Sequence, residues 1–167
     1  MHLNSAGDKI HAAAPQMADI VLVSADAASP SLDAFLSFLL GGGTPIPRAV
    51  LHGIGYSGCQ GIDVHEIAAV GETKKVRLNV VRPSLLAPHR LYARATAVIG
   101  FIEPGAAFEP LAARMNAVWA HKTVPGVVVC MAPPVTAAET YVSSAEDARR
   151  VITNLLAAAD SNREIAA

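Results

Sequence analysis

The stretch Leu22-Val-Ser-Ala-Asp-Ala-Ala-Ser-Pro-Ser31 follows an apolar run and leads into the helix-like Leu32-Asp-Ala-Phe-Leu36. A strand, a small polar loop and a helix in this order mark the place where an α/β domain carries a phosphate-binding loop. Such a loop reads G-x-x-x-x-G-K-[ST]. Its glycines let backbone N–H groups close on phosphate oxygens, its lysine adds positive charge, and its hydroxyl ligates magnesium. On that spacing Ser24 and Ser29 stand at the glycines, Pro30 at the lysine and Ser31 at the Ser/Thr, with Asp26 inside the loop. Pro30 brings neither a charge nor an N–H. The frame of a nucleotide site is present and its chemistry is not.

Outward from this loop, Asp19–Ser24 reads as a short apolar strand and Leu32–Leu40 as a helix. Ser31 is its N-cap, and Leu32, Phe35, Leu36, Leu39 and Leu40 lie along one side. Gly41-Gly-Gly43, Pro45 and Pro47 stop it. Ala49–His52 is a candidate strand before the glycine-rich loop Gly53–Gly61. Gly61–Val70 and Lys75–Val81 predict a β-hairpin turning at Gly71-Glu72, with Val76, Leu78 and Val80 on one face. Arg82–Leu91, holding Pro83 and Pro88, predicts irregular chain. Thr96–Ile102 is a further strand, Leu111–His121 a helix, and the β-branched Val124–Met131 a strand covered on both faces. Ser144–Ala159 closes the pattern as a helix capped by Ser143 or Ser144, with Glu146 and Asp147 in its first turn. This order implies an α/β three-layer sandwich over residues 19–160, between a flexible N-terminal tail at 1–18 and a C-terminal tail at 161–167.

With 167 residues the chain is long enough for one domain with a substantial core. Hydrophobic residues make up 52% and charged residues only 16%. A permanent partner covering part of the surface accounts for that balance, and so does plain Ala and Val richness. The net charge of −1 and the few aromatics argue against nucleic acid, which calls for a basic patch and stacking rings. Apolar runs such as Ile20–Val23, Phe35–Leu40 and Val127–Met131 fall far below the ~20 residues of a membrane span. Cys59 and Cys130 form no metal or redox motif and read as small buried side chains in the cytoplasm or another reducing compartment. Met1–Gln16 contains Asp8 and no long apolar core, so it does not read as a secretory signal.

Several further stretches carry a resemblance. Cys59-Gln-Gly-Ile-Asp-Val64 is similar to the T-I-G-V-D-F that begins the second strand of Rab proteins, and Glu66–Val81 to the hairpin that follows. Tyr92-Ala-Arg-Ala-Thr-Ala-Val-Ile99 resembles Y-Y-R-G-A-D-A-V-I, which enters the fourth strand. Phe108 and Trp119 stand where Rab proteins carry S-F and a helix tryptophan. Pro125-Gly-Val-Val-Val129 looks like the strand before the guanine-specificity motif. Over Asp19–Arg149 the chain thus resembles a small GTPase of the Ras and Rab type. With Val142-Ser-Ser-Ala-Glu-Asp-Ala-Arg149 included, it is most similar to the Rab-like subunits of the intraflagellar transport B complex. The resemblance implies a mostly parallel sheet with one antiparallel strand. After the specificity strand such a fold adds a helix, a strand and a last helix. Here about one helix of pattern remains, so the C-terminal part is expected to be shortened.

The departures from that family all remove nucleotide chemistry. Cys59 replaces the switch-one threonine that reaches magnesium, and Arg82-Pro83-Ser84-Leu85 replaces the D-x-x-G that senses the γ-phosphate. The glutamine that orients the attacking water has no counterpart. Met131-Ala-Pro-Pro-Val135 stands for N-K-x-D without the aspartate that pairs with guanine. The resemblance therefore implies a pseudo-GTPase with no cofactor, acting as a scaffold subunit of a larger, cilium- or flagellum-associated assembly. Its partner-binding candidates lie on the former switches: Tyr56, Cys59, Arg82, His89, Arg90 and Tyr92. An atypical nucleotide site built from the backbone amides of Asp26–Ser31 is a second reading.

A third reading is hydrolytic. Leu51-His52-Gly53 followed by Gly55-Tyr56-Ser57-Gly58-Cys59 invites comparison with an oxyanion loop and a G-x-S-x-G nucleophile elbow. The elbow fails at Cys59, and the acid and histidine would have to come from Asp63, His65, His89 or His121. Cys59 with His52 and His65 is a thiol-catalyst alternative whose test is spatial proximity. His52, His65 and Glu66 are metal-ligand types without ligand spacing. Arg82, His89, Arg90 and Arg94 form the basic cluster, read either as a solvated loop or as a partner surface.

Overall fold

Strand β1 (Gln16–Ser24) sets the plan of the molecule. Ala18, Ile20 and Leu22 face one side, Val21 and Val23 the other, and all five are buried. A strand apolar on both faces belongs in the middle of a covered sheet. In the structure, a computed structural model describing residues 16–25, 30–40, 62–67, 74–81, 83, 89–133 and 139–166, that is where it lies. β3 (Lys74–Val81) and β4 (Ala97–Ile102) flank β1 in parallel. β2 (Ile62–Ile67) runs antiparallel to β3, with Ile62 opposite Val81 and Ile67 opposite Val76. β5 (Gly126–Cys130) and β6 (Glu139–Tyr141) extend the sheet in parallel beyond β4, giving the order β2-β3-β1-β4-β5-β6.

Helices make the outer layers. α1 (Pro30–Leu40) and α4 (Ala145–Ala166) pack on one face and on each other. There Phe35 of α1 meets Phe101 of β4 at 5.7 Å between ring centroids. α2 (His89–Ala93) and α3 (Glu109–Trp119) lie on the other face, burying Leu91, Tyr92, Leu111, Met115 and Val118. α3 approaches β4 closely at Gly100, where a side chain would collide with Met115 and Leu111. α4 begins as its sequence implies. Ser144 Oγ accepts the Asp147 N–H at 3.1 Å, and Asp147 Oδ2 in turn accepts the N–H and hydroxyl of Ser143, each at 3.1 Å. The Ser143 N–H holds the Asp147 carboxyl below the usual carboxylate range. No described helix is long and apolar enough to cross a membrane.

The expected sandwich, mostly parallel with one antiparallel pair, is observed. Four boundaries differ. β1 starts at Gln16, so 16–18 belong to the sheet and not to a tail. α4 continues to Ala166 through the expected tail, because Ser161–Ala166 contains no Gly or Pro to end it. His89–Ala93, of which His89, Arg90 and Leu91 fall in the segment expected to be irregular, is a helix that starts directly after Pro88. The expected shortening also falls elsewhere: a sixth strand exists, and the brevity lies in the link from β5 to β6, the eight residues 131–138. The candidate strand Ala49–His52, the loop Gly53–Gly61 and residues 1–15 lie outside the described residues.

Candidate functional site

In an open parallel sheet, ligands sit beyond the carboxyl ends of the strands where the chain order reverses. Here that point lies between β1, whose chain leads toward β2 and β3, and β4, whose chain leads toward β5. Its walls are the end of β1 with buried Ser24, the first turn of α1, and the residues after β4. Pro30 occupies the first helical position of α1, where its missing N–H is harmless. The next donor, the Ser31 N–H, is taken by Glu103 Oε1 at 3.2 Å, from the chain just past β4. A helix N-terminus attracts anions. In this molecule its own carboxylate answers that attraction, and Asp33 adds a second negative charge to the same turn. Among the described residues, a phosphate entering here would meet two carboxylates and no lysine. Asp26 and Ser29 lie outside the described residues.

β5 ends at buried Cys130 and passes into Met131-Ala132-Pro133, which carries no carboxylate. At the end of β3, Arg114 of α3 donates from Nη2 to the Val81 carbonyl at 2.9 Å. Its Nε is buried without a hydrogen-bond partner among the described residues. Burial holds the Arg114 guanidinium below its ordinary pKa and pushes the neighbouring Tyr92 phenol up.

Of the partner-binding candidates, His89 and Arg90 are exposed on α2, while Tyr56, Cys59 and Arg82 lie outside the described residues. Tyr92 is corrected: α2 turns it inward with Leu91 against α3, leaving it 3% exposed. His89 Nδ1 and His121 Nε2 meet at 2.6 Å, and His121 Nδ1 faces the Ala117 carbonyl at 3.1 Å. In the neutral pair His121 therefore donates to Ala117 through Nδ1, and His89 donates to His121. Tyr92 packs edge-on against His121 at 5.8 Å. This arrangement fixes α2 to the end of α3.

The hydrolytic residues Ser57, Cys59 and His52 lie outside the described residues. His65 is buried in β2 opposite Leu78, on the face that carries α1, while adjacent Glu66 is exposed. Neighbours in a strand point to opposite faces, so these two cannot share one metal. No group of three His, Cys, Asp or Glu able to hold a metal occurs among the described residues. His65 Nδ1 has no hydrogen-bond partner there, and burial lowers its pKa against the opposing pull of Asp63.

One polar cluster was not foreseen. Buried Asp19 receives Arg77 through both carboxylate oxygens at 3.0 Å, Asn79 Nδ2 at 3.2 Å and Arg94 Nε at 3.4 Å. Its backbone exchanges bonds with Thr96, accepting the Thr96 N–H at 2.8 Å. The cluster ties β1, β3 and the entry to β4 together at the edge of the sheet opposite the crevice. Glu103 and Arg114 were likewise unforeseen. Their sequence signal is slight: a carboxylate directly after an apolar strand, and an arginine on the apolar side of a helix.

Compared with known protein families and with curated proteins, the chain matches none.

Proposed function

We propose that this chain is a Ras/Rab-like domain that binds no nucleotide and serves as a protein-binding scaffold subunit of a larger assembly. One observation carries the reading: the Glu103 carboxylate sits on the Ser31 N–H at the start of α1, where a nucleotide phosphate would be held. The sheet supports it, since a mostly parallel sheet with one antiparallel pair is what the resemblance implies. So do the residues after β5, which offer no partner for a guanine edge. A crevice closed by the protein's own groups has no ligand-dependent equilibrium to shift, which suits a constitutive complex. The resemblance makes the intraflagellar transport B complex the first assembly in which to look.

The test is nucleotide content followed by titration with fluorescent GDP and GTP in magnesium. The expected outcome is no co-purified nucleotide and no change in melting temperature. Ligand present at ~100 times its Kd would stabilise the fold by about 2.7 kcal/mol, so a flat melting curve is informative. Micromolar binding would overturn the reading and make Asp26–Ser31 a working phosphate site.

A further inference from the structure

Two parallel neighbouring strands need a crossover of a dozen or more residues, usually a helix lying on the sheet. β5 and β6 are parallel neighbours, yet only the eight residues 131–138 separate them. Among the described residues no helix lies over β6 on the face beside α3, and Tyr141 there is exposed. Phe108, Met115 and Trp119 of the α3 segment form one wall of a groove of about 340 Å³, and Gly126 and Val128 form its floor. Gly126 is required there: a side chain would come within 2.7 Å of the Trp119 ring. The Trp119 indole is pinned by its Nε1 donating to the Val124 carbonyl at 2.8 Å.

The surface around this groove is unlike the rest. The three exposed large hydrophobic residues among those described are Phe108 (43%), Trp119 (36%) and Tyr141 (42%). Phe108 and Trp119 line the groove, and Tyr141 pairs with Cys130, placing it on the same sheet face as Val128. Rigid aromatics around an apolar floor make the centre of a binding surface. Two carboxylates stand beside it. Glu109 follows Phe108 in the first turn of α3, Glu139 pairs with Val128 across β5 and β6, and among the described residues neither Lys nor Arg lines the groove.

We infer that this groove receives an amphipathic helix from a partner protein, its apolar stripe on Trp119 and Val128 and its flanking lysines or arginines facing Glu109 and Glu139. This holds whether or not the crevice at Glu103 binds nucleotide, because the groove lies beside β5 and β6 and shares no residue with that crevice.

Trp119 is the chain's single tryptophan, so its emission reports on the groove directly. The full chain is titrated with a tryptophan-free 18-residue Leu/Lys helix and with its Leu/Glu counterpart. The expected result is a blue shift of Trp119 emission with the Lys peptide and at least ~10-fold weaker binding of the Glu peptide. Phe108→Asp, at an exposed position, should weaken the Lys peptide ~10-fold or more. The double variant Glu109→Lys, Glu139→Lys should reverse the preference between peptides. Absence of any shift overturns the inference, as does equal binding of the two peptides. A shift that develops with protein concentration alone, accompanied by dimers in sedimentation, would assign the groove to a second copy. A response to a small apolar dye but to neither peptide would make it a small-molecule pocket.

Discussion

On the side of the sheet that carries α1 and α4, two helices pack on each other and seal the strands beneath them. On the side that carries α3, no described helix overlies β6, and Phe108, Trp119 and Tyr141 are exposed. The two sides are equally apolar along β1 and β4, so hydrophobicity does not distinguish them. The difference lies at β5 and β6, which only the eight residues 131–138 connect. A similar contrast separates the crevice from the flank. In the crevice an inviting helix terminus is satisfied internally by Glu103, whereas on the flank aromatic surface is left to solvent.

Substitutions on the two sides should separate them. Phe101→Ala, at a residue 1% exposed on the sealed side, should cost about 3–5 kcal/mol in urea unfolding. A cost below ~1 kcal/mol there would mean that this side is loosely packed after all. Asp19→Ala should cost a comparable ~3–5 kcal/mol by leaving largely buried Arg77 without its carboxylate. The double variant Asp19→Leu, Arg77→Met should recover much of it, which a purely geometric role for Asp19 would not allow.

His65 provides a pH test of the sealed side. Burial lowers its folded-state pKa below the unfolded value of 6.5, so the unfolded chain binds the proton more readily. Stability should therefore be complete above about pH 6.5 and fall as pH drops through and below that value, until the folded-state pKa is passed. His65→Leu should flatten that part of the profile; an unchanged slope would place the titrating group elsewhere. In the crevice, Glu103→Ala should lower stability by about 1 kcal/mol or more, since at least the hydrogen bond to the Ser31 N–H is lost. Glu103→Gln should retain most of it. On the open flank Phe108→Ala should stay within about 0.5 kcal/mol, and a larger loss would show that this surface is structural.

Where local pattern is strong, the fold was legible. The alternation in Val76-Arg-Leu-Asn-Val80, the β-branched run before Cys130 and the Ser144 cap each place an element within a few residues. β6 was missed because three residues, two of them exposed, fall below any window in which periodicity can be counted. α2 was missed because Pro83 and Pro88 masked a helix that begins just after the second. At the crevice, Pro30 was legible as a residue with neither charge nor N–H, but the contact beside it was not. Ser31 and Glu103 are 72 residues apart, and nothing local says that they touch. The Asp19 cluster escaped for the same reason, with partners 58 and 60 positions away.

The central position of β1 also governs when the chain can fold. β1 leaves the ribosome first, yet the strands that pair with it lie far downstream: Ile20 aligns with Leu78 and with Ala97. At ~5–20 residues per second the second of these partners arrives about 4–15 s after β1. Until β3 emerges neither edge of this apolar strand is paired, and until β4 emerges one edge stays open, the state most prone to pair with another nascent chain. The arrangement that puts β1 in the middle of the finished sheet gives it the longest wait for its partners while the molecule is being made.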